Sequence, residues 1–341
     1  MNPTVILIGF GYAGRCFYNN LDKSKFEIKV ILDCDKIINK PYFLDSLKNN
    51  SIKNVIYNIS DNKNFRLNEI VISVDYINKK ILTFNKTYHE YFFDYLVIGI
   101  GTEINTYQIP GVIENCNFFS SYHDLERARE ISNDTKYNIG IIGCSLAGLE
   151  LATYFADVHK IDIFDYSQIF LPSMSFSIRT NVLNFIQQNH NIKLHLGNQL
   201  MKIEKIENQK KLYVKSNNVE KEYIYDIVFW VAGTQPNKNM YKWFNTNKVN
   251  SKLKIENTND IFAIGDCNNF HIKSAQCAKS QGLFLAEFFN SNFSDNLNFE
   301  YINNGTIIKL NSCVYVENNY YSGFAPNFIH SICHYINNID R

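Results

Sequence analysis

An α/β fold built from two similar parallel-sheet units is what this sequence predicts, and three observations carry it. The first is Val5-Ile6-Leu7-Ile8-Gly9-Phe10-Gly11-Tyr12-Ala13-Gly14, an apolar run that enters a glycine-rich turn without a gap. Such a run reads as a buried parallel strand feeding a helix. The second is a repeat of that pattern at Asn138-Ile139-Gly140-Ile141-Ile142-Gly143-Cys144-Ser145-Leu146-Ala147-Gly148. The third is a matching pair of strand-into-glycine segments, Asp94 to Gly101-Thr102 and Asp226 to Gly233-Thr234, as two related half-units require.

The glycines at the start have separate tasks. Gly9 lets the chain turn out of the strand, Gly11 leaves room for backbone N–H groups to approach a pyrophosphate, and Gly14 lets the next helix pack close. That helix, expected from about Gly14 to Leu21, starts with unpaired N–H groups and a partial positive charge, which suits a diphosphate. Phe26 to Asp33 supplies the next strand and ends in an acid at the spacing of a ribose-binding carboxylate. A glycine turn with an ordinary surface Asp is the plain alternative for this stretch taken alone.

In the second unit the strand is Ile139 to Ile142 and the helix runs from about Ala147 to Val158, with Gly143, Ser145, Leu146, Ala147 and Gly148 forming the turn. Ser145 stands at the middle glycine position, where its side chain limits close phosphate approach. Lys160 to Asp165 restores the pattern by placing Asp165 at the end of the following strand. Two strand–glycine–helix–strand–acid units in one chain predict two bound dinucleotides, each in a Rossmann-like domain.

Between and after these units the pattern is simpler. Lys40-Pro41-Tyr42-Phe43-Leu44 opens an Asn/Lys-rich stretch of undefined register. Ile70 to Val74, Lys80 to Phe84 and Tyr88 to Phe92 read as a short antiparallel excursion. Ile109-Pro110-Gly111-Val112 marks a turn between domains, and Ser121 to Ser132 carries helical spacing. Ser177 to Gln188 is an expected helix, with strands at Ile192 to Leu196 and Leu212 to Val214. Asp260 to Cys267 is a last buried strand ending in Gly265-Asp266, followed by an amphipathic helix from Ala275 to Phe289. Strands are expected from Gly305 to Tyr320 and a short final helix within Ser322 to Ile336.

Composition narrows the function. The chain has 341 residues and a formal net charge of +1, so it offers no electrostatic footprint for nucleic acid. Its eight cysteines lie far apart with no CxxC pair, which suits a reduced compartment and gives no disulfide-exchange pair. The first strand begins near Val5 and no apolar run reaches membrane-spanning length, so neither a leader nor a membrane span is expected. Cytoplasmic placement, with at most peripheral contact with a membrane, follows. The histidines have no ligand spacing, and no metal is expected.

With these residues in view, the chain resembles the two-dinucleotide-binding-domain flavoproteins, and among them the type II NADH dehydrogenases (NADH:quinone oxidoreductases). Both fingerprints, Trp230-Val231-Ala232-Gly233 and Ala263-Ile264-Gly265-Asp266 occur in that family's order. Asn105-Thr106-Tyr107-Gln108-Ile109-Pro110-Gly111-Val112 is similar to its Asn-Thr-Phe-Gly-Ile-Pro-Gly-Val segment, and Ala275-Gln276-Cys277-Ala278-Lys279-Ser280-Gln281-Gly282 to its Ala-Gln helix start. Four departures stand out. They are Ser145, Tyr154 where members usually carry Glu, Lys273-Ser274 in place of a Pro-containing pair, and the sequence after Pro41.

The resemblance implies a discontinuous FAD-binding domain, 1–115 and 251–294, with an NAD(H)-binding domain, 116–250, inserted in it and a short α+β region, 295–341, at the end. It implies FAD on Gly9, Gly11, Tyr12, Ala13, Gly14, Asp33, Gly101, Gly265, Asp266 and Ala275, with Asp266 accepting from a ribityl hydroxyl. NADH is implied on Gly143, Ser145, Leu146, Ala147, Gly148, Asp165 and Gly233, Asp165 disfavouring the 2′-phosphate of NADPH. The helix starting at Ala275 aims its positive end at the flavin pyrimidine. Gln276 and Gln281 are expected to offer amides to a quinone, the implied acceptor. A soluble NADH oxidase or diaphorase and an NADH-sensing flavoprotein of the apoptosis-inducing-factor type are the alternatives. Membrane contact is expected to be weak or absent, and a homodimer is compatible with the pattern.

Overall fold

The computed structural model describes residues 2–49, 55–59, 63–131, 134–303, 307–310, 313–316 and 319–322. Two parallel sheets organise them. In the first the strand order is Ile261–Ala263, Tyr95–Ile98, Thr4–Ile8, Glu27–Ile31 and Phe65–Arg66, all parallel. The apolar runs read from the sequence are the central strands, and Val5, Ile6, Leu7, Leu96, Val97 and Ile98 are fully buried. Helices cover one face. Tyr12–Asn20 and Ala275–Asn290 lie against each other because Gly282 admits close approach: a Cβ there would sit 2.2 Å from Ala13 O. Phe17, Phe26, Phe262 and Phe289 interlock beneath them. Each such ring contributes roughly 1.5–3 kcal/mol by burial.

The second sheet has the order Ile192–His195, Lys160–Phe164, Asn138–Ile142 and Ile227–Trp230, again all parallel. Helices Leu146–Phe155 and Phe176–Gln188 bury Leu149, Leu151, Ala152, Ile178, Val182 and Ile186 on it. Each unit carries an antiparallel meander. The first is Ile70–Asp75, Lys80–Asn85 and Thr87–Phe92, close to expectation. The second is Gln199–Ile206, Gln209–Ser216 and Val219–Tyr225, of which the sequence reading found only the middle strand. Its outer strands are rich in Lys and Glu because one face meets water, which hides the apolar alternation.

The units are joined by a two-stranded ribbon, Thr102–Ile104 against Thr234–Pro236. The chain rejoins the first unit well before the expected boundary at residue 250, since Met240 and Trp243 of helix Asn239–Phe244 pack with Ile6, Ile8 and Ile98. The undefined stretch after Pro41 contains helix Phe43–Asn49, whose Phe43, Leu44 and Leu47 join the core of the second unit. Tyr154, on the second unit's helix, donates its hydroxyl to Leu47 O at 3.3 Å and so spans the seam between the units. The strands expected after Gly305 include Ile307–Leu310, Cys313–Val316 and Asn319–Ser322, and Ile308 and Leu310 close the same core. The expected final helix within 322–336 lies outside the described residues apart from its first.

Candidate dinucleotide sites

The first fingerprint is shaped by clearance. At Gly9 the backbone is left-handed (φ +92°) and a Cβ would lie 2.5 Å from Gly99 O, so only glycine serves. A Cβ on Gly14 would meet Gly9 O at 2.5 Å, which is how the helix comes down onto the strand. Gly11 differs: nothing lies within 4 Å of a Cβ built there, so its bareness serves no packing need. Helix Tyr12–Asn20 begins two residues earlier than expected, with Gly11 as N-cap and no side chain capping it. The first-turn N–H groups of Tyr12, Ala13 and Gly14 therefore remain open to an anion.

Around this helix start stand the other first-unit residues. Gly9, Gly11, Asp33 and Gly101 line one cavity, and Asp33 is exposed in it. Its far wall comes from Asn237, Asn239 and Trp243, which the sequence reading missed; the Pro236-Asn237 step after the Gly233 turn was the available signal. Gly265 packs on Ala13, with 3.1 Å between a Cβ built there and Ala13 Cβ. Asp266 follows it, half-buried, and no hydrogen-bond partner is recorded for its carboxylate among the described residues. Burial raises its pKa above the usual carboxylate value, opposed by Lys273 and then Lys40. A carboxylate left in that state suits an incoming hydroxyl donor. These residues fit a dinucleotide with a polyol link.

Helix Ala275–Asn290 separates the two glutamines. Gln281 is 1% exposed, and its Oε1 accepts from Gly265 N at 2.7 Å and from Asn268 Nδ2 at 2.7 Å. Its Nε2 lies 3.4 Å from Cys277 Sγ. The expectation that Gln281 faces an electron acceptor is thereby corrected: five residues along a helix is a turn and a half, which carries it to the buried side, where it braces the Gly265-Asp266 loop. Gln276 is half-exposed; its Oε1 accepts from Tyr301 Oη at 2.8 Å and no partner is recorded for its amide nitrogen among the described residues.

The second unit repeats the clearances but not the openness. A Cβ on Gly148 would lie 2.2 Å from Gly143 O, matching Gly14 and Gly9. Ser145 takes the open middle position and, though exposed, bonds back to the protein's own backbone. Its Oγ accepts from Gly148 N at 3.2 Å and donates to Val231 O at 3.2 Å, capping helix Leu146–Phe155, whose first turn also holds Ala147. Asp165 accepts from Cys144 N at 2.6 Å and from Ser167 N at 2.7 Å. Gly143 and Asp165 share a cleft with Tyr107, Phe164, Trp230 and Ala232, and Gly233 follows Ala232. Tyr107, another residue missed from sequence, reaches this cleft because Tyr107 and Gln108 are both left-handed (φ 49° and 57°) before Ile109-Pro110.

Among the described cysteines none is joined in a disulfide. Cys16, Cys34, Cys116, Cys144, Cys267 and Cys277 are all free. Burial pushes the Cys144 and Cys116 thiols up to about 12 and Cys267 up to about 11, away from the reactive thiolate. Among the described residues no group of three or more His, Cys, Asp or Glu could hold a metal ion, and no helix is long and apolar enough to cross a membrane.

Two Rossmann-like units in one chain, each with a glycine turn and a strand-end acid, define a two-dinucleotide α/β protein. The chain belongs to the pyridine nucleotide-disulphide oxidoreductase family, whose pattern it matches over residues 3–282. It is 25% identical over 320 residues to the mitochondrial external alternative NAD(P)H-ubiquinone oxidoreductase B2 of Arabidopsis thaliana, an alignment covering 77% of this chain and 54% of that protein. The chain thus spans about half that relative's length. A probable NADH dehydrogenase of Dictyostelium discoideum is 24% identical over 344 residues, 85% of this chain and 74% of that one. In fold the chain is similar to NDH2 of Plasmodium falciparum solved with NADH, with a TM-score of 0.86 at 18% identity over 98% of this chain and 94% of that one.

Proposed function

We propose that this chain is an FAD-dependent oxidoreductase that takes a hydride from NADH and delivers electrons to a quinone-type acceptor. The observation that carries the reading is the first unit's uncapped helix start, with clear space at Gly11 and Asp33 exposed in the same cavity. The diphosphate of FAD takes the N–H groups of Tyr12, Ala13 and Gly14, Asp33 holds the adenosine ribose, and Asp266 accepts from the ribityl chain. Bound flavin supplies the hydride-accepting ring; the protein supplies position and charge. Asp165 and the turn from Gly143 to Gly148 hold NADH, with Tyr107, Ala232 and Gly233 along its cleft. Gln276 is the acceptor-side amide of helix Ala275–Asn290. The names of the ubiquinone oxidoreductase relatives and the NADH complex of the similar structure support donor and acceptor alike. Weak peripheral membrane contact and a homodimer belong to the same proposal, and vesicle flotation and analytical sizing test them.

The decisive experiment is anaerobic stopped-flow. The purified chain should carry FAD, bleach on mixing with NADH, and recover its colour faster with a short-chain ubiquinone than with oxygen. Gln276→Leu should leave bleaching unchanged and slow recovery by quinone. Recovery led by oxygen would make the chain an oxidase, a long-lived reduced complex would make it a sensor, and failure to bleach would overturn the reading.

A further inference from the structure

The loop between Asp266 and helix Ala275–Asn290 places a charge where the resembled family has a proline-containing pair. Lys273 donates from Nζ to Asn268 O at 2.5 Å. Asn268 is itself fully buried and fixed by bonds from its Nδ2 to Ala263 O at 2.9 Å and to Gln281 Oε1 at 2.7 Å. The ammonium is therefore held by a rigid anchor, beside Asp266 and one residue before the Ser274 N-cap, whose Oγ accepts from Cys277 N at 3.1 Å. A second lysine, Lys40, interacts electrostatically with the same carboxylate and with Asp124. Its neighbour Asn39 is buried and accepts from Tyr12 Oη, which ties this segment to the start of the fingerprint helix.

Lys273 and Lys40 both act on Asp266, while Lys40 also feels Asp124. Asp266 balances one of them, and the N-terminal end of helix Ala275–Asn290 adds further positive potential. Partial desolvation lowers the pKa of both lysines against the pull of Asp266, although both residues keep exposed surface. An added negative charge in this cleft is favoured by the two lysines and the helix end together.

We propose that Lys273 is a positioning charge for the flavin, stabilising the negative charge that its pyrimidine edge gains on reduction and so raising its reduction potential. The inference rests on the reading of the first unit as the FAD site. Lys40, fixed near Tyr12, serves the diphosphate end, whereas Lys273, fixed on the loop that leads into Ala275, serves the ring end. A single charge in a partly solvated cleft shifts such an equilibrium by about tenfold.

The test uses the full chain loaded with FAD and compares Lys273→Gln, which keeps a donor for Asn268 O but no charge, with Lys273→Arg, which keeps the charge. Spectroelectrochemical titration should show the Gln variant's midpoint potential lowered by about 30 mV, the tenfold change for a two-electron couple, and the Arg variant's at the wild-type value. The affinity of the oxidised flavin for sulfite, an anion that adds to the ring, should fall in parallel by about tenfold. An unmoved potential in Lys273→Gln overturns the inference while leaving the FAD site intact. Loss of FAD from both variants also overturns it, by making Lys273 a structural support. A wild-type chain that takes up no FAD overturns the reading of the first unit itself, and FAD content measured before titration tells that case apart.

Discussion

Replacing Gly11 with Val separates folding from binding more cleanly than any other change in the first unit. The backbone at Gly11 has φ −70° and ψ −160°, which any residue adopts, and a Cβ there meets nothing within 4 Å. Two small effects act on the unloaded protein. Losing Gly at an N-cap costs up to about 1 kcal/mol, and stiffening the unfolded chain returns about 0.4–1 kcal/mol. Thermal unfolding of the apo-protein should therefore move by a few degrees at most, roughly 2–4 °C per kcal/mol at this size. The ligand meets a different situation, because the isopropyl group stands where a diphosphate must lie to reach Tyr12, Ala13 and Gly14. Losing two charge-assisted hydrogen bonds at about 1.5–3 kcal/mol each weakens FAD by roughly 10²–10⁴-fold. Quenching of FAD fluorescence on titration measures this directly. Gly14→Ala is the contrasting control: its Cβ would meet Gly9 O at 2.5 Å, so it should lower apo stability by about 1–3 kcal/mol. A Gly11→Val chain that binds FAD within threefold of wild type (roughly 0.7 kcal/mol) would refute the assignment.

The remaining expectations concern the second unit. Ser145→Gly should cost only a few tenths of a kcal/mol as a cap, yet it frees Gly148 N–H and should tighten NADH about fivefold, about 1 kcal/mol, in an equilibrium titration. Burial works against the Asp162 carboxylate, but hydrogen bonds from His195 at 3.2 Å and from Tyr225 at 2.6 Å hold its pKa below the usual 3.8. Its folded value is the lower one, so its contribution is full above 3.8 and lost as pH falls through the folded value. Melting temperature against pH should accordingly drop less steeply on the acid side in Asp162→Asn. Changing Cys16, Cys34 and Cys144 together to Ser should leave NADH oxidation intact; lost turnover with flavin still bound would return thiol exchange to consideration.

Legibility followed burial and glycine geometry. Central strands such as Thr4–Ile8 and Asn138–Ile142 are buried on both faces, so their apolar runs stand out. Roles set by clearance at Gly9 and Gly14 were legible because no other residue fits. Helix Phe43–Asn49 was not, since Phe43, Leu44 and Leu47 owe their burial to a unit about a hundred residues further along the chain. The same holds for Trp243 and Asn237, which reach the first cavity only after the chain has passed through the second unit. Gln281 shows a different limit. Sequence supplies an amide at a plausible spacing, but which side of the helix meets Gly265 depends on the packing that Gly282 permits against Ala13.

The two units share a topology and differ in how much of each turn the protein keeps for itself. In the first, no side chain caps the helix start, the middle glycine is bare, and the strand-end acid is exposed. In the second, Ser145 caps the helix and Asp165 is engaged by Cys144 N and Ser167 N. A ligand entering the first site meets helix-start N–H groups that no side chain caps, whereas one entering the second must share or replace bonds already formed. At about 1 kcal/mol net per bond, displacing two of them lowers affinity by roughly 30-fold. A resident cofactor requires the first arrangement and a substrate that must leave after each turnover is served by the second. This asymmetry supports assigning FAD to the first unit and NADH to the second on grounds independent of sequence order.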